Sequence, residues 1–166
     1  LHLFMIAAFF LDGLAQAAEQ LCGKAVGANW RPAFERANRL SLLWGLLIAG
    51  VWSVLLFAFG YLAIELMTTN AEVREMARVF LVMAALTPLT GMPAFVYDGI
   101  MIGATLNTTM RNGMLLSLAI YLVVAMILQP LFGLWGLWIA FHILLLSRAA
   151  IYAVAIERRK AGLFTS

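Results

Sequence analysis

The sequence predicts an all-α, polytopic helical membrane protein with five transmembrane helices, and three observations carry that prediction. Of its 166 residues, 64% are hydrophobic and only 11% are charged, with a mean hydropathy of +0.97. A soluble domain is about 45–50% apolar and roughly 25% charged, and a globule of this size cannot hide so much apolar surface. The few charges also cluster, leaving uncharged intervals long enough to cross a bilayer, about 20 residues at about 1.5 Å each. Lastly, Lys and Arg gather in alternate loops. Together these exclude a soluble enzyme, a nucleic-acid module, a disulfide scaffold and a disordered segment. An outer-membrane barrel is excluded too, because its strands alternate polar and apolar residues.

The first span runs over about 1–26 and is interrupted by Asp12, Glu19 and Lys24. It opens at Leu1 within an apolar run, with no basic segment and no cleavage signature, so it reads as the start of a fragment rather than a signal peptide. The second span, about 40–64, holds no charge between Arg39 and Glu65. The third, about 79–104, carries one intramembrane acid, Asp98. The uncharged interval from Arg111 to Arg148 is too long for one crossing and splits at Gln129-Pro130-Leu131-Phe132-Gly133, a Pro/Gly turn signal. That division yields a fourth span over about 113–128 and a fifth over about 134–156. The chain is a single transmembrane domain with no convincing internal repeat.

Loop charges set the orientation. Lys24, Arg31, Arg36 and Arg39 follow the first span, Arg111 follows the third, and Arg158, Arg159 and Lys160 follow the fifth. The loop after the second span is slightly acidic, with Glu65, Glu72 and Glu75 against Arg74 and Arg78. Basic loops face the cytoplasm, which places the C-terminus inside and Leu1 on the outer side. The net charge of +3 therefore serves topology first, with contact between the C-terminal basic cluster and anionic lipid as the alternative. The lone Cys22 forms no internal disulfide.

Charge inside a bilayer is expensive, so the intramembrane acids are the first functional candidates. Asp12, Gln16, Glu19 and Gln20 fall at i, i+4, i+7 and i+8, which is one helical face. Two readings stay open for this stripe: interhelical hydrogen bonding, or the lining of a solute or proton path. In the third span Thr87-Pro88, Thr90-Gly91 and Met92-Pro93 lie close together, followed by Tyr97-Asp98. Each proline removes an intrahelical hydrogen bond, so Pro88 and Pro93 predict a kink. A bend beside an acid suits a carrier built on a discontinuous helix. The alternative is a static kink with Asp98 capping, or pairing near Arg111. Trp30, Trp44, Trp52, Trp135 and Trp138 read as interface anchors. Met83, Met92, Met101 and Met110 read either as packing or as an adaptable solute surface. His2 and His142 show no metal-ligand spacing, and for His142 and Arg148 a hydrogen-bonded structural role is expected. No Walker loop, nucleophile elbow or His-Glu-x-x-His motif supports an ATP-driven pump or a protease.

Two segments are distinctive as patterns. Leu11-Asp12-Gly13, with Ala17-Ala18-Glu19, Gly23 and Gly27-Ala28, resembles a helix of the multidrug and toxic compound extrusion (MATE) transporters, in their DinF-like branch. Tyr97-Asp98-Gly99, with Ile102-Gly103-Ala104-Thr105 and Met110-Arg111-Asn112, resembles the following portion of the same branch. The resemblance covers essentially the whole chain. It implies that the five spans are helices eight to twelve, most of the C-terminal lobe of a two-lobed protein, with the N-terminal lobe and the seventh helix missing. It further implies a bacterial plasma-membrane antiporter, not an enzyme, that exports cationic or amphipathic compounds in exchange for H⁺ or Na⁺. No other cofactor, metal or nucleic-acid partner is implied. Asp98 matches the acid that many members carry in the tenth helix for ion coupling. Asp12, Gln16, Glu19 and Tyr97 belong to the branch pattern without an assigned role. A lipid-linked oligosaccharide flippase of related fold and a non-transporting membrane assembly subunit are the alternatives.

Overall fold

Five helices account for nearly all of residues 2–164, which the computed structural model describes; for residues 2–8, 10 and 11 only the backbone is described. They are α1 (His2–Gly27), α2 (Arg31–Met67), α3 (Ala71–Gly103), α4 (Asn107–Phe132) and α5 (Leu134–Leu163). No strand occurs among the described residues. Four of these helices, α2 to α5, are long and apolar enough to cross a membrane. The helix α1 has crossing length at 26 residues but is broken up by its polar stripe. The side-chain reading of His2 lies outside the described residues.

The helices extend beyond the apolar intervals because backbone hydrogen bonding continues into water once a helix is nucleated. Thus α2 begins at Arg31, with Pro32 in its first turn, where a missing N–H costs nothing. Asn70 caps α3, its side chain accepting from the Glu72 and Val73 amides at 3.0 and 3.4 Å. The α1 and α3 ends share one device. Trp30 N donates to Ala25 O and Leu106 N to Met101 O, both at 2.9 Å, around Asn29 and Thr105 at φ 49° and 58°.

The turn expected over 129–133 is much tighter in the structure. Pro130 lies inside α4, and the chain reverses at Gly133 alone, at φ 57° and ψ −129°, a conformation that only glycine adopts without strain. Pro130 sits in the last turn of α4, where its missing N–H leaves the Met126 carbonyl without its i−4 donor just before the chain turns.

Packing centres on α3, which lies against α1, α2 and α5, and the close approaches are made by small residues. A Cβ on Gly99 would collide with the Ala15 carbonyl, and one on Gly103 with the Glu19 carbonyl, so α1 and α3 run parallel with backbones almost touching. Gly45 and Gly60 of α2 receive Met92 and Leu81 of the antiparallel α3. Gly113 of α4 receives Tyr152 of α5. The buried core is Ala18, Cys22, Phe34, Met92, Val96, Ile100, Met101, Tyr152 and Ile156, with small residues between them. Met92 and Met101 are therefore packing residues. Most large apolar side chains of α2 and α4 point outward instead, as a lipid-facing surface requires. Among the tryptophans, Trp30, Trp44 and Trp135 are exposed; Trp135 lies tilted against Phe80 of α3 and Trp138 stacks on it, with ring centroids 5.0 and 6.2 Å apart.

Candidate functional site

The seam between α3 and α5 holds two polar side-chain contacts between transmembrane helices, Thr90 with His142 and Asp98 with Arg148. The two helices run in the same direction, so their contacts advance in step. Phe80 meets Trp135 and Trp138, Thr90 meets His142, and Asp98 meets Arg148. Aromatic rings thus close one end of the seam, and an ion pair closes the other.

Partway along, the Thr90 hydroxyl and His142 Nδ1 are 2.8 Å apart. The helix α3 continues unbroken through Pro88 and Pro93, so the interruption expected of a discontinuous helix is not there. Threonine hydroxyls bond back to carbonyls of the same stretch: Thr87 Oγ1 donates to Met83 O at 3.1 Å, and Thr90 Oγ1 lies 3.3 Å from both Leu86 O and Thr87 O. Such back-bonding bends a helix locally without breaking it. Pro88 is buried and Pro93 half-buried.

Asp98 lies five residues before the end of α3, about a turn and a half from the terminus. Its partner is Arg148 of α5, and not Arg111, whose guanidinium turns to Asn112 Oδ1 at 3.2 Å. A single nitrogen, Arg148 Nη2, donates to both carboxylate oxygens at 2.7 and 2.6 Å. The side chains are only 16% and 21% exposed, so the pair is screened far less than a surface salt bridge. The Arg148 guanidinium stands over the ring of Tyr152, 5.7 Å from its centroid, one turn farther along α5. Tyr152 is fully buried, and its hydroxyl donates to Met110 O at 3.1 Å, tying α5 to the start of α4. Tyr97 is half-buried beside Asp98 and packs on the core.

The polar stripe of α1 sits elsewhere. Asp12, Gln16 and Gln20 are exposed and Glu19 is half-buried, because α1 turns Ala18, Cys22 and Ala25 into the bundle instead. The stripe faces out of the five-helix unit, while the Glu19 backbone packs against Gly103. The sequence-predicted residues thus separate into Asp98, Tyr97 and the prolines on α3, and an outward row on α1. Arg148 is the residue that sequence reading undervalued. Its signal was present as the lone basic residue within an apolar span, since a charge there needs an opposite partner. No group of three or more His, Cys, Asp or Glu among the described residues is placed to hold a metal ion.

Comparison with known proteins places these helices in context. A family model described as MatE matches residues 1–131. DNA damage-inducible protein F of Escherichia coli (strain K12) is 32% identical over 165 residues, covering 95% of this chain and 34% of that protein. The chain therefore spans about a third of the length of this curated relative. No solved structure matches the chain. The match to the MatE model takes in α1, α2, α3 and nearly all of α4, including both glycine-containing segments that bring α1 against α3. On that span of matched sequence, and with helices built to cross a membrane, the chain belongs to the MatE family, the multidrug and toxic compound extrusion proteins.

Proposed function

We propose that the chain forms most of the C-terminal lobe of a secondary antiporter, which exports cationic or amphipathic compounds in exchange for inward H⁺ or Na⁺. The observation that carries this reading is a carboxylate on a membrane-spanning helix, Asp98, held by a cationic partner on a neighbouring helix. Family membership supports transport as the task, and the pair supplies a group able to couple it. Adding a proton to Asp98 removes its charge and with it the attraction to Arg148, so α3 is released from α5 at that end. Removing the proton restores the contact. A helix that exists in two arrangements biased by one ion is the minimal element of ion-coupled alternating access. The outward α1 stripe, with Asp12 and Gln16 exposed and Glu19 half-buried, then faces the cleft shared with the N-terminal lobe. No cofactor beyond the coupling ion enters this scheme, and the protein lies in the bacterial plasma membrane with its C-terminus in the cytoplasm.

Neutralisation of Arg148 by Asp98 speaks against the oligosaccharide flippase, which needs free positive charge for anionic head groups. The test uses the full-length protein in proteoliposomes with an imposed proton or sodium gradient. Asp98→Asn should abolish most gradient-driven efflux of a cationic dye while leaving the protein folded. Undiminished efflux in that variant sinks the coupling role, and absence of efflux in the wild type would favour the assembly-subunit reading.

A further inference from the structure

We propose that the C-terminal end of α5 carries a binding site for an anionic phospholipid, with an acyl chain over Ala150, Ile151, Val154 and Ala155 and the phosphate between Arg158 and Arg159. Such a site requires only that α5 crosses the membrane, whatever Asp98 does in transport.

These six residues line a shallow, open hollow of about 520 Å³ on the surface of α5. That size lies within the range of about 300–1,000 Å³ usual for small-molecule sites. The positions recur at i, i+1, i+4, i+5, i+8 and i+9, one face of the helix over about two and a half turns. Ala150 and Ala155 are short, which leaves room beside Ile151 and Val154. The first four residues are apolar and the last two basic, and the change falls where the uncharged interval after Arg148 ends at Glu157. The hollow therefore straddles the boundary between hydrocarbon and headgroups. A phospholipid is divided in the same way, with its acyl chain on one side of that boundary and its phosphate on the other.

Charge decides which phospholipid. Glu157 meets Lys160, and Lys160 also faces Glu35, so the one acid of this cluster is occupied by the lysine. Arg158 and Arg159 are exposed and form no ion pair among the described residues. Two uncompensated guanidiniums thus stand at the end of an apolar hollow. Successive helical residues are about 100° apart, so the two reach one group from its two sides. A guanidinium fork also matches the oxygens of a phosphate, which a point-like ammonium does not. A zwitterionic lipid brings its own cation against these arginines and is disfavoured. In the orientation proposed above, this end of α5 meets the cytoplasmic leaflet, whose anionic lipids give it a negative surface potential.

The test reconstitutes the full-length protein in phosphatidylcholine vesicles holding a phosphatidylglycerol probe with a diazirine near the start of one acyl chain. Irradiation followed by peptide mass spectrometry should place adducts on residues 150–155. Unlabelled phosphatidylglycerol should suppress them, and extra phosphatidylcholine should not. Arg158→Gln/Arg159→Gln should raise the half-saturating fraction of probe about thirtyfold, the combined effect of two basic residues near an anionic surface. Ala150→Trp fills the hollow from an exposed position while keeping both charges, and should abolish the adducts as well. Adducts indifferent to the loss of both arginines, or equally abundant with a phosphatidylcholine probe, overturn the proposal, since ordinary lipid solvation predicts them. Adducts that need the arginines but survive Ala150→Trp overturn it too, for they reduce the site to surface charge. Suppression by inorganic phosphate would assign the arginines to a soluble anion. Absence of adducts on α5 in the wild type would mean that another part of the full-length chain covers the hollow, and either result overturns the lipid site. Should the variants fail to fold, the competition between anionic and zwitterionic lipid on the wild type decides alone.

Discussion

At the scale of single residues, the surface ion pairs behave unlike the pair at Asp98. Glu35 accepts from Arg31 Nε at 3.0 Å and faces Lys160 Nζ at 3.5 Å, and Lys160 in turn meets Glu157 at 2.5 Å. This chain of charges joins the start of α2 to the end of α5, beside the edge-to-face contact of Phe34 with Phe164, 5.6 Å between centroids. The hydrogen bond from Arg31 holds the Glu35 carboxyl below its ordinary pKa, and the hydrogen bond to Glu157 holds the Lys160 ammonium above its own. A lowered carboxylate contributes stability above its unfolded pKa and loses it as pH falls through the folded value. A raised ammonium contributes below its unfolded pKa and loses it as pH rises through the folded value. The tie is therefore constant through neutral pH and fails at both extremes. Because these groups are exposed, its contribution is small and screened by salt. Thermal melting in detergent should show a slight loss on acidification below the ordinary Glu range, and Lys160→Met should reduce that acid sensitivity. An acid response unaltered by Lys160→Met would dissociate Lys160 from it.

Elements meet through glycine in this protein, and the glycines differ in what surrounds them. A methyl group at Gly99 would strike the Ala15 carbonyl, a backbone atom that cannot turn aside, so α1 and α3 must separate to admit it. Gly99→Ala should cost about 1–3 kcal/mol, the usual range for overpacking a tight interface. Gly13, on the same helix pair, has open space where its Cβ would stand. Gly13→Ala should instead stabilise α1 by about 0.5–1 kcal/mol, since alanine loses less backbone entropy in a helix. Unfolding in detergent measures both, and equal effects at the two positions would contradict the close approach. The Gly99-x-x-x-Gly103 spacing was readable in advance, but its partner helix was not. Which helix fills a small-residue groove depends on a long-range contact that spacing within one helix does not specify.

For the whole molecule, the decisive fact is the unequal distribution of apolar surface. Large side chains such as Trp44, Val54 and Leu66 of α2 and Leu115 and Met126 of α4 are exposed, so these helices present lipid-facing flanks around the buried α3. The loop charges predict one orientation for this assembly, and Cys22, fully buried and the only cysteine, makes that orientation measurable. In intact cells, a cysteine placed at Thr69 between α2 and α3 should react with a membrane-impermeant maleimide. One placed at Thr108, at the start of α4, should react only after the membrane is opened. The reverse pattern would invert the topology. The native background should be negligible, since Cys22 is shielded on all sides.

The sequence by itself determined the helical class, the membrane setting and the order of the helices, because apolar periodicity and charge-free length act locally and need no partner. It also singled out Asp98, because a charge in an apolar span is anomalous wherever the span lies. Only the tertiary structure decided what Asp98 touches. Arg111 is near in sequence, yet the parallel run of α3 against α5 brings Arg148 to it across 50 residues. The same holds for the α1 stripe: its periodicity marks one polar face, but the side that packs is chosen by Ala18, Cys22 and Ala25 meeting α3 and α2. Helix formation is settled by neighbours along the chain, whereas pairing is settled by which surfaces fit once every helix is present.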